Sequence, residues 1–355
     1  MSCRRQTSSP LTHQLFLSLV LLACLCGSGC RATAPPAKYC RLNRSDKYGV
    51  AYTITVDNSG HGPAANFTTV QRAIDSVPVG NSQWVRIQIS PGKFTEKVVI
   101  GENKPCIFLH GAGRASTSIE WDDHEDKPTS PIFAAFADDI VAKGITFKNK
   151  YNIGPGDLVW KRATAARIGG DRSAFFECGF VGLQDTFLDD DGRHLFSNCY
   201  IEGAMDFIYG AGKSIYKECE ISLNIGKYEP GLAGSITAQK KELPGEESGF
   251  VFDGCEFSGT GKAILGRAWG AYSTVVVYNS SIGDIIVPQG WDAWGYVGHE
   301  ANLTYVEANN RGKGANTSKR VPWMKRLNPA QLRSYVDISF IDRDGWLRNL
   351  PRISS

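Results

Sequence analysis

Two aspartates are the residues of this sequence whose type and spacing point most clearly to catalysis. Asp185 lies in Leu-Gln-Asp-Thr and Asp206 in Met-Asp-Phe-Ile-Tyr-Gly, 21 residues further on. When a chain repeats every 20 to 25 residues and each repeat forms one coil, residues one repeat apart occupy equivalent positions on neighbouring coils. The two carboxylates should therefore lie on adjacent strands roughly 5 Å apart. Carboxylates that close do not both ionise easily, so one keeps its proton while the other stays charged. An acid and a nucleophile need that division of roles.

Two hydrogen-bond donors have nearly the same phase as the aspartates. Gln184 immediately precedes Asp185, and Arg162 lies 22 residues before Gln184. Both side chains can project towards the carboxylate pair and donate hydrogen bonds to a developing oxyanion. Spacing alone leaves two alternatives open, a solvated aspartate ladder and a calcium site.

Three other kinds of site have no support in the sequence. No G-x-S-x-G elbow occurs, and the six histidines lack the H-E-x-x-H pattern or any paired spacing that a zinc site needs. The Gly-Lys-Ser at 212–214 is not a phosphate loop, because Phe207 stands where the first glycine would be required. We therefore predict neither a metal nor a cofactor.

The elements that must position these side chains repeat along the chain. An aromatic residue, a cysteine and an apolar residue recur in that order, and the cysteines are Cys178, Cys199, Cys219 and Cys255. The first three are 21 and 20 residues apart, and short β-rich runs separated by Gly, Asn and Asp turns accompany them. This period predicts an all-β solenoid, and we expect a right-handed parallel β-helix of eight to ten coils. The buried cysteines should be small core residues, close enough for one bridge between neighbouring coils.

Helical periodicity is confined to two places. Val70, Ala73, Ile74 and Val77 have helical spacing within 67–78, which predicts an N-terminal cap, and a second helix is expected near 328–336. We accordingly divide the chain into a signal peptide and cleavage region at 1–34, an irregular lead-in at 35–51, the β-helix at 52–321 and a C-terminal extension at 322–355 that packs on it.

The first 34 residues have the order of a secretory signal. Arg4 and Arg5 precede the apolar run from Leu15 to Cys26, and Ala-Thr-Ala follows at 32–34. Removing them takes away three arginines and leaves 36 basic and 36 acidic residues, so the mature chain has no basic excess for nucleic acid. No later run is long enough to span a membrane.

Sequons and cysteines also favour export. Five sequons begin at Asn43, Asn66, Asn279, Asn302 and Asn316, which predicts a glycosylated secreted protein. Beyond the signal region six cysteines remain, and an oxidising compartment permits up to three disulfides. Their spacing does not choose among the fifteen possible pairings.

Four motifs in this order resemble those of pectinesterases (pectin methylesterases), especially the plant enzymes, from about Val56 to Trp294. They are Gly92–Glu96 for the family's G-x-Y-x-E, Gln184–Thr186 for Q-D-T, Asp206–Gly210 for D-F-I-F-G, and Leu265–Trp269 for L-G-R-P-W. The ordered set is specific, whereas one motif would be weak. The resemblance begins soon after the predicted cleavage site, so no inhibitor-like pro-region is expected.

The resemblance implies hydrolysis of methyl esters on homogalacturonan in the plant cell wall, releasing methanol. It makes Asp206 the nucleophile and Asp185 the acid that protonates methoxide and then the base that activates water. Gln184 would stabilise the oxyanion, Arg267 would keep Asp206 ionised and oriented, and Trp269 would stack on a sugar ring. The expected protein is a monomer, with the polymer as its main partner and a proteinaceous inhibitor as a second candidate.

Two positions fit the family pattern less well. Ser130 stands roughly where many members carry a substrate-binding Thr. Arg162 stands where the family's Q-A-V-A begins, and its cation should lower the pKa of Asp185 and remove the proton that a general acid needs. A pectin-binding relative with impaired catalysis is therefore an alternative hypothesis, and a polysaccharide lyase or hydrolase on the same fold is a third.

Overall fold

A computed structural model describes residues 39–59, 65–123, 130–153 and 160–353. All the described residues belong to one unit, 37–355. The predicted signal peptide therefore lies outside the described residues, as does the start of the lead-in.

The described residues form three parallel sheets that wind into a right-handed β-helix, as predicted. The strands of sheet 1 are Tyr52–Val56, Val85–Ile89, Ile107–His110, Ile140–Lys143, Ser173–Phe176, Arg193–Ser197, Lys213–Lys217, Gly249–Asp253, Thr274–Tyr278 and Thr304–Ala308. Those of sheet 2 are Val98–Ile100, Phe133–Ala135, Ala166–Ile168, Phe187–Asp189, Met205–Gly210, Ala233–Gln239, Lys262–Ala268 and Trp291–Asp292. Those of sheet 3 are Gly92–Thr95, Thr117–Trp121, Thr146–Asn149, Gly179–Val181, Tyr200–Gly203, Glu220–Leu223, Glu256–Gly259 and Ser281–Ile282.

The repeated cysteines line the inside of one corner of this helix. Cys178, Cys199, Cys219 and Cys255 are buried free thiols at the corner between sheets 1 and 3. The residue before each cysteine has a positive φ, as at Asn198 (54°), so the chain turns sharply there and its next side chain points inwards. Because all four thiols are free, no bridge joins neighbouring coils here. Among the described residues, a disulfide joins Cys40 to Cys106 instead and ties the lead-in to the first coils.

Stacked aromatic rings fill the interior beside the cysteines. Phe196 and Tyr216 have ring centroids 4.8 Å apart, and Tyr216 and Phe252 have centroids 4.6 Å apart, because in-register strands place like side chains above one another. This ladder keeps successive coils in register, which is what places residues of equal phase side by side.

Helices cap and cover the solenoid. The first, α1 (Val70–Ser76), is shorter than predicted, because Thr69 caps its start and Val77 turns extended before Pro78. Then α2 (Pro329–Val336) lies where the sequence predicts it, and α3 is Ser339–Asp342. Phe340 and Ile341 of α3 pack with apolar residues on the outer face of sheet 1. No helix among the described residues has the length and apolar character to cross a membrane.

Candidate active site

The coil register brings the two aspartates together. Asp185 lies in the turn between Gly179–Val181 and Phe187–Asp189, and Asp206 is the second residue of Met205–Gly210. Phe187 pairs with Ile208, and the Asp185 N–H donates to the Met205 carbonyl at 3.0 Å. The aspartates therefore occupy equivalent places on successive coils.

Both aspartates have left-handed backbones, which non-glycine residues seldom adopt. The φ angle is 56° at Asp185 and 47° at Asp206. The pairing of Met205–Gly210 with the next strand also shifts register between Met205 and Ile208, and such a bulge redirects a side chain. Left-handed residues of this kind cost on the order of 1–3 kcal/mol each and concentrate at functional sites. Here they accompany the exposure of two carboxylates to one cleft.

Arg267 holds Asp206 with both arms of its guanidinium. Its Nε donates to Asp206 Oδ1 at 2.8 Å, and Nη2 donates to Oδ2. The guanidinium also lies over the Trp294 ring, with Cζ 4.0 Å from the ring centroid. Bidentate pairing of this kind fixes the orientation of a carboxylate as well as its charge.

Asp185 is protonated more readily than an ordinary aspartic acid. It is only 7% exposed, and burial together with the Asp206 charge raises its pKa to about 7. Arg162, Arg267 and a hydrogen bond from Gln184 lower that pKa, but they do not outweigh burial. The site thus holds a carboxyl group that is half protonated near neutral pH beside a carboxylate paired with arginine.

Arg162 acts on Asp185 in the direction that the sequence predicts, but too weakly to dominate. Its Nε lies 3.3 Å from Asp185 Oδ2, and its side chain is 63% exposed. Water screens a cation in that position, whereas the carboxyl is buried. The loss of the acid proton, on which the hypothesis of impaired catalysis depends, is therefore not what the geometry favours.

A cleft of about 400 Å³ collects six of the seven predicted site residues. They are Asp206, Asp185, Gln184, Arg267, Trp269 and Arg162. Ser130 is not among the residues that line it. Its hydroxyl donates to Asp123 at 2.5 Å and accepts a hydrogen bond from Lys97. Ser130 instead belongs to a polar cluster with Asp123 and Lys97, one coil before Arg162.

Seven residues that line the cleft were not predicted as site residues, and Arg167, Asp190, Lys240 and Trp294 are four of them. Arg167 and Asp190 form an ion pair with Nε and Oδ2 2.8 Å apart, and Lys240 lies over the Trp269 ring. Trp294 has a positive φ of 48° and is 46% exposed. The one available signal was that Trp294 follows Trp269 by 25 residues, a coil length. In the part of the chain that is described, no three His, Cys, Asp or Glu side chains form a group that could hold a metal ion.

Comparison with known proteins adds to this geometry. A profile of the Pectinesterase family matches residues 53–344. The chain is 46% identical to "Probable pectinesterase 29" of Arabidopsis thaliana, across 96% of this chain and 98% of that protein. A pectin methylesterase from carrot superimposes with a TM-score of 0.77 at 30% identity, covering 83% of this chain and 94% of the other. One from Aspergillus niger gives 0.71 at 25% identity, covering 84% and 96%.

Proposed function

Since this chain belongs to the pectinesterase family of carboxylic ester hydrolases, we propose that its cleft demethylates homogalacturonan through Asp206 and Asp185. The observation that carries the proposal is the contrast between these two groups on successive coils. Asp206 is paired with Arg267, and Asp185 has a pKa raised to about 7 by burial and by the Asp206 charge. A carboxylate nucleophile held by an arginine beside an acid that keeps its proton is the arrangement that ester hydrolysis requires.

In the first half-reaction, an Asp206 oxygen attacks the ester carbonyl. Negative charge develops on the carbonyl oxygen, where Gln184 and the exposed Arg162 donate hydrogen bonds. The tetrahedral intermediate collapses, the bond to methoxide breaks, and Asp185 gives its proton to methoxide. Methanol leaves, and the uronate remains joined to Asp206 as an anhydride.

In the second half-reaction, the ionised Asp185 removes a proton from water. The resulting hydroxide attacks the uronate carbonyl of the anhydride, and Asp206 departs as a carboxylate that Arg267 receives. The product is a galacturonic acid residue, and Asp185 is again protonated. Trp269, which is 36% exposed at the cleft, offers an apolar platform to a sugar ring.

We further propose that the protein acts in the plant cell wall as a secreted glycoprotein and a monomer. The signal-like segment at 1–34 supports export, and each of the five sequon asparagines (Asn43, Asn66, Asn279, Asn302 and Asn316) is exposed where an added glycan would meet solvent. An inhibitor protein remains a candidate partner on the basis of the family resemblance alone.

The wild-type protein is expected to release methanol from highly methylated pectin without shortening the polymer. Methanol is measured together with new reducing ends and unsaturated oligomers across pH 5–9. Shortened chains would favour a lyase or glycosidase instead. Binding of pectin with no methanol at any pH would favour the alternative of a catalytically impaired binding protein.

Replacing Arg162 with glutamine is expected to move the alkaline limb of kcat upwards by as much as about one pH unit. An acid is active below its pKa and loses activity as the pH rises through it, and Arg162 lowers the pKa of Asp185. Removing the cation therefore extends activity to higher pH. The measurement is kcat against pH, with Arg162→Lys as the control that keeps the charge.

The same pair of variants tests the hypothesis of impaired catalysis. An inactive wild type that gains turnover only on Arg162→Gln would establish that hypothesis and show that the Arg162 cation outweighs burial in setting the pKa of Asp185. An alkaline limb that moved downwards would contradict the assignment of Asp185 as the acid.

A further inference from the structure

Two hydroxyl side chains meet at the cleft where the family motifs carry apolar residues. Thr164 stands at the Val of Q-A-V-A, and Tyr209 stands at the second Phe of D-F-I-F-G. Their oxygens lie 2.8 Å apart, and each residue is 7% exposed. A buried hydroxyl without a partner is costly, so each of these polar substitutions is tolerated because the other is present.

The hydrogen bond spans the coil that carries Asp185. Strand pairing aligns Ala166 with Phe187 and Leu188 with Tyr209, so Thr164 lies two coils before Tyr209 and level with Asp185. Coils are about 4.8 Å apart, so the tyrosine side chain has to lean across nearly two spacings to reach Thr164. Its body packs on Leu188 in the coil between them.

Tyr209 and Asp185 both line the cleft, so the tyrosine bounds the space that Asp185 faces. The Asp185 charge acts on the Tyr209 hydroxyl and helps to raise its pKa, after burial, the larger cause. The other charged groups that influence Asp185 are Asp206, Arg162 and Arg267, and Tyr209 is also influenced by Arg162 and Asp190. None of these charges changes when Thr164 or Tyr209 loses its hydroxyl.

We propose that the Thr164–Tyr209 hydrogen bond, which we call the clasp, is a positioning device that holds the tyrosine ring over Asp185 and keeps water away from the acid. The proposal rests on the proposed function, in which Asp185 is the acid. The clasp does not touch the reacting atoms. It acts through the burial of Asp185, which is the largest influence raising the pKa of that group.

The decisive variant is Thr164→Val. It leaves the buried phenol of Tyr209 without its partner, so the ring should turn towards solvent and admit water to Asp185. The pKa of Asp185 then falls towards that of an ordinary aspartic acid. We expect the alkaline limb of kcat to move down by about one pH unit, which is roughly a tenfold loss of kcat above that limb.

The double variant Thr164→Val with Tyr209→Phe supplies the rescue. It restores the apolar pair of the family motifs, and a phenyl ring with no hydroxyl to hydrate should pack back over Asp185. Its alkaline limb should return to within about 0.3 pH unit of wild type, although it lacks both hydroxyls. That recovery would show that the two substitutions do not have additive effects on the position of the alkaline limb.

Thr237→Val is the matched control. Thr237 is a buried threonine on the strand next to that of Tyr209, and its hydroxyl donates to the Leu265 carbonyl at 3.0 Å. Its loss should lower the melting temperature without moving the pH profile. If Thr237→Val moved the pH profile as far as Thr164→Val does, the effect of the clasp would be one of general stability, and the proposal would be overturned.

A titration without substrate separates this proposal from the proposed function. The carboxyl ¹³C signal of Asp185 is followed against pH in wild type, Thr164→Val and the double variant. A lowered midpoint only in Thr164→Val supports the clasp, even in a wild type that releases no methanol. Identical midpoints in all three proteins overturn the clasp, whatever the methanol assay gives.

Discussion

Asp206→Asn is expected to reduce methanol release at least about ten-thousand-fold, because it removes the nucleophile while keeping the shape of the side chain. An amide oxygen does not form the anhydride, and Gln184, Arg162 and Asp185 cannot replace the missing bond to the substrate. Arg267 remains in place but loses the carboxylate to which it donates two hydrogen bonds. Substrate binding should therefore fall much less than kcat.

The control for this variant is Asp190→Asn. Asp190 also lines the cleft and is also paired with an arginine, since Arg167 Nε donates to its Oδ2 at 2.8 Å. If an unbalanced arginine in the cleft were enough to stop the reaction, both variants would fail. We expect Asp190→Asn to lose less than about tenfold, in line with a partly exposed ion pair. A folded Asp206→Asn protein that kept more than about one-hundredth of wild-type turnover would place the nucleophile elsewhere.

The relation between Asp185 and Asp206 could be predicted because a solenoid converts sequence spacing into spatial phase. A 21-residue interval corresponds to one coil here, and the pairing of Phe187 with Ile208 shows that register. The next coils are longer, with Met205 paired to Ser235 and Ser235 to Ile264, because loops interrupt the period. Spacing alone therefore could not bring Arg267 to Asp206, and only the motif resemblance indicated it.

The effect of Arg162 on Asp185 and the presence of the clasp depend on how far side chains extend and on how strongly water screens their charges. The sequence shows that Arg162 is a cation near Asp185, but not that it is largely exposed while Asp185 is buried. That difference decides the direction of the pKa shift. The clasp likewise joins residues 45 positions apart through a side chain that crosses an intervening coil. The repeat predicts the position of each residue within its coil, but not that a side chain will cross a neighbouring coil.

Asp185→Asn is expected to lower kcat on methyl esters about a thousandfold and to abolish the alkaline limb near pH 7. Methoxide is a strongly basic leaving group, and an amide has no proton that it can give up to methoxide. In the wild type, activity should be full below the raised pKa of Asp185 and decline as the pH passes about 7. With asparagine there is no group to titrate, so the residual rate should lose that decline.

The leaving group provides the test that separates an acid from a merely structural residue. When the galacturonan ester carries an acidic phenol in place of methanol, the phenolate departs without being protonated. The rate of the first half-reaction in Asp185→Asn should therefore recover to within about tenfold of wild type. The second half-reaction still lacks its base, so the anhydride on Asp206 should accumulate as a burst of phenol followed by slow turnover. Mass spectrometry of the quenched protein would then detect the added uronate. Equal losses on methyl and phenyl esters, with no burst, would mean that Asp185 only supports the fold of the cleft, because a structural defect does not depend on the basicity of the departing alcohol.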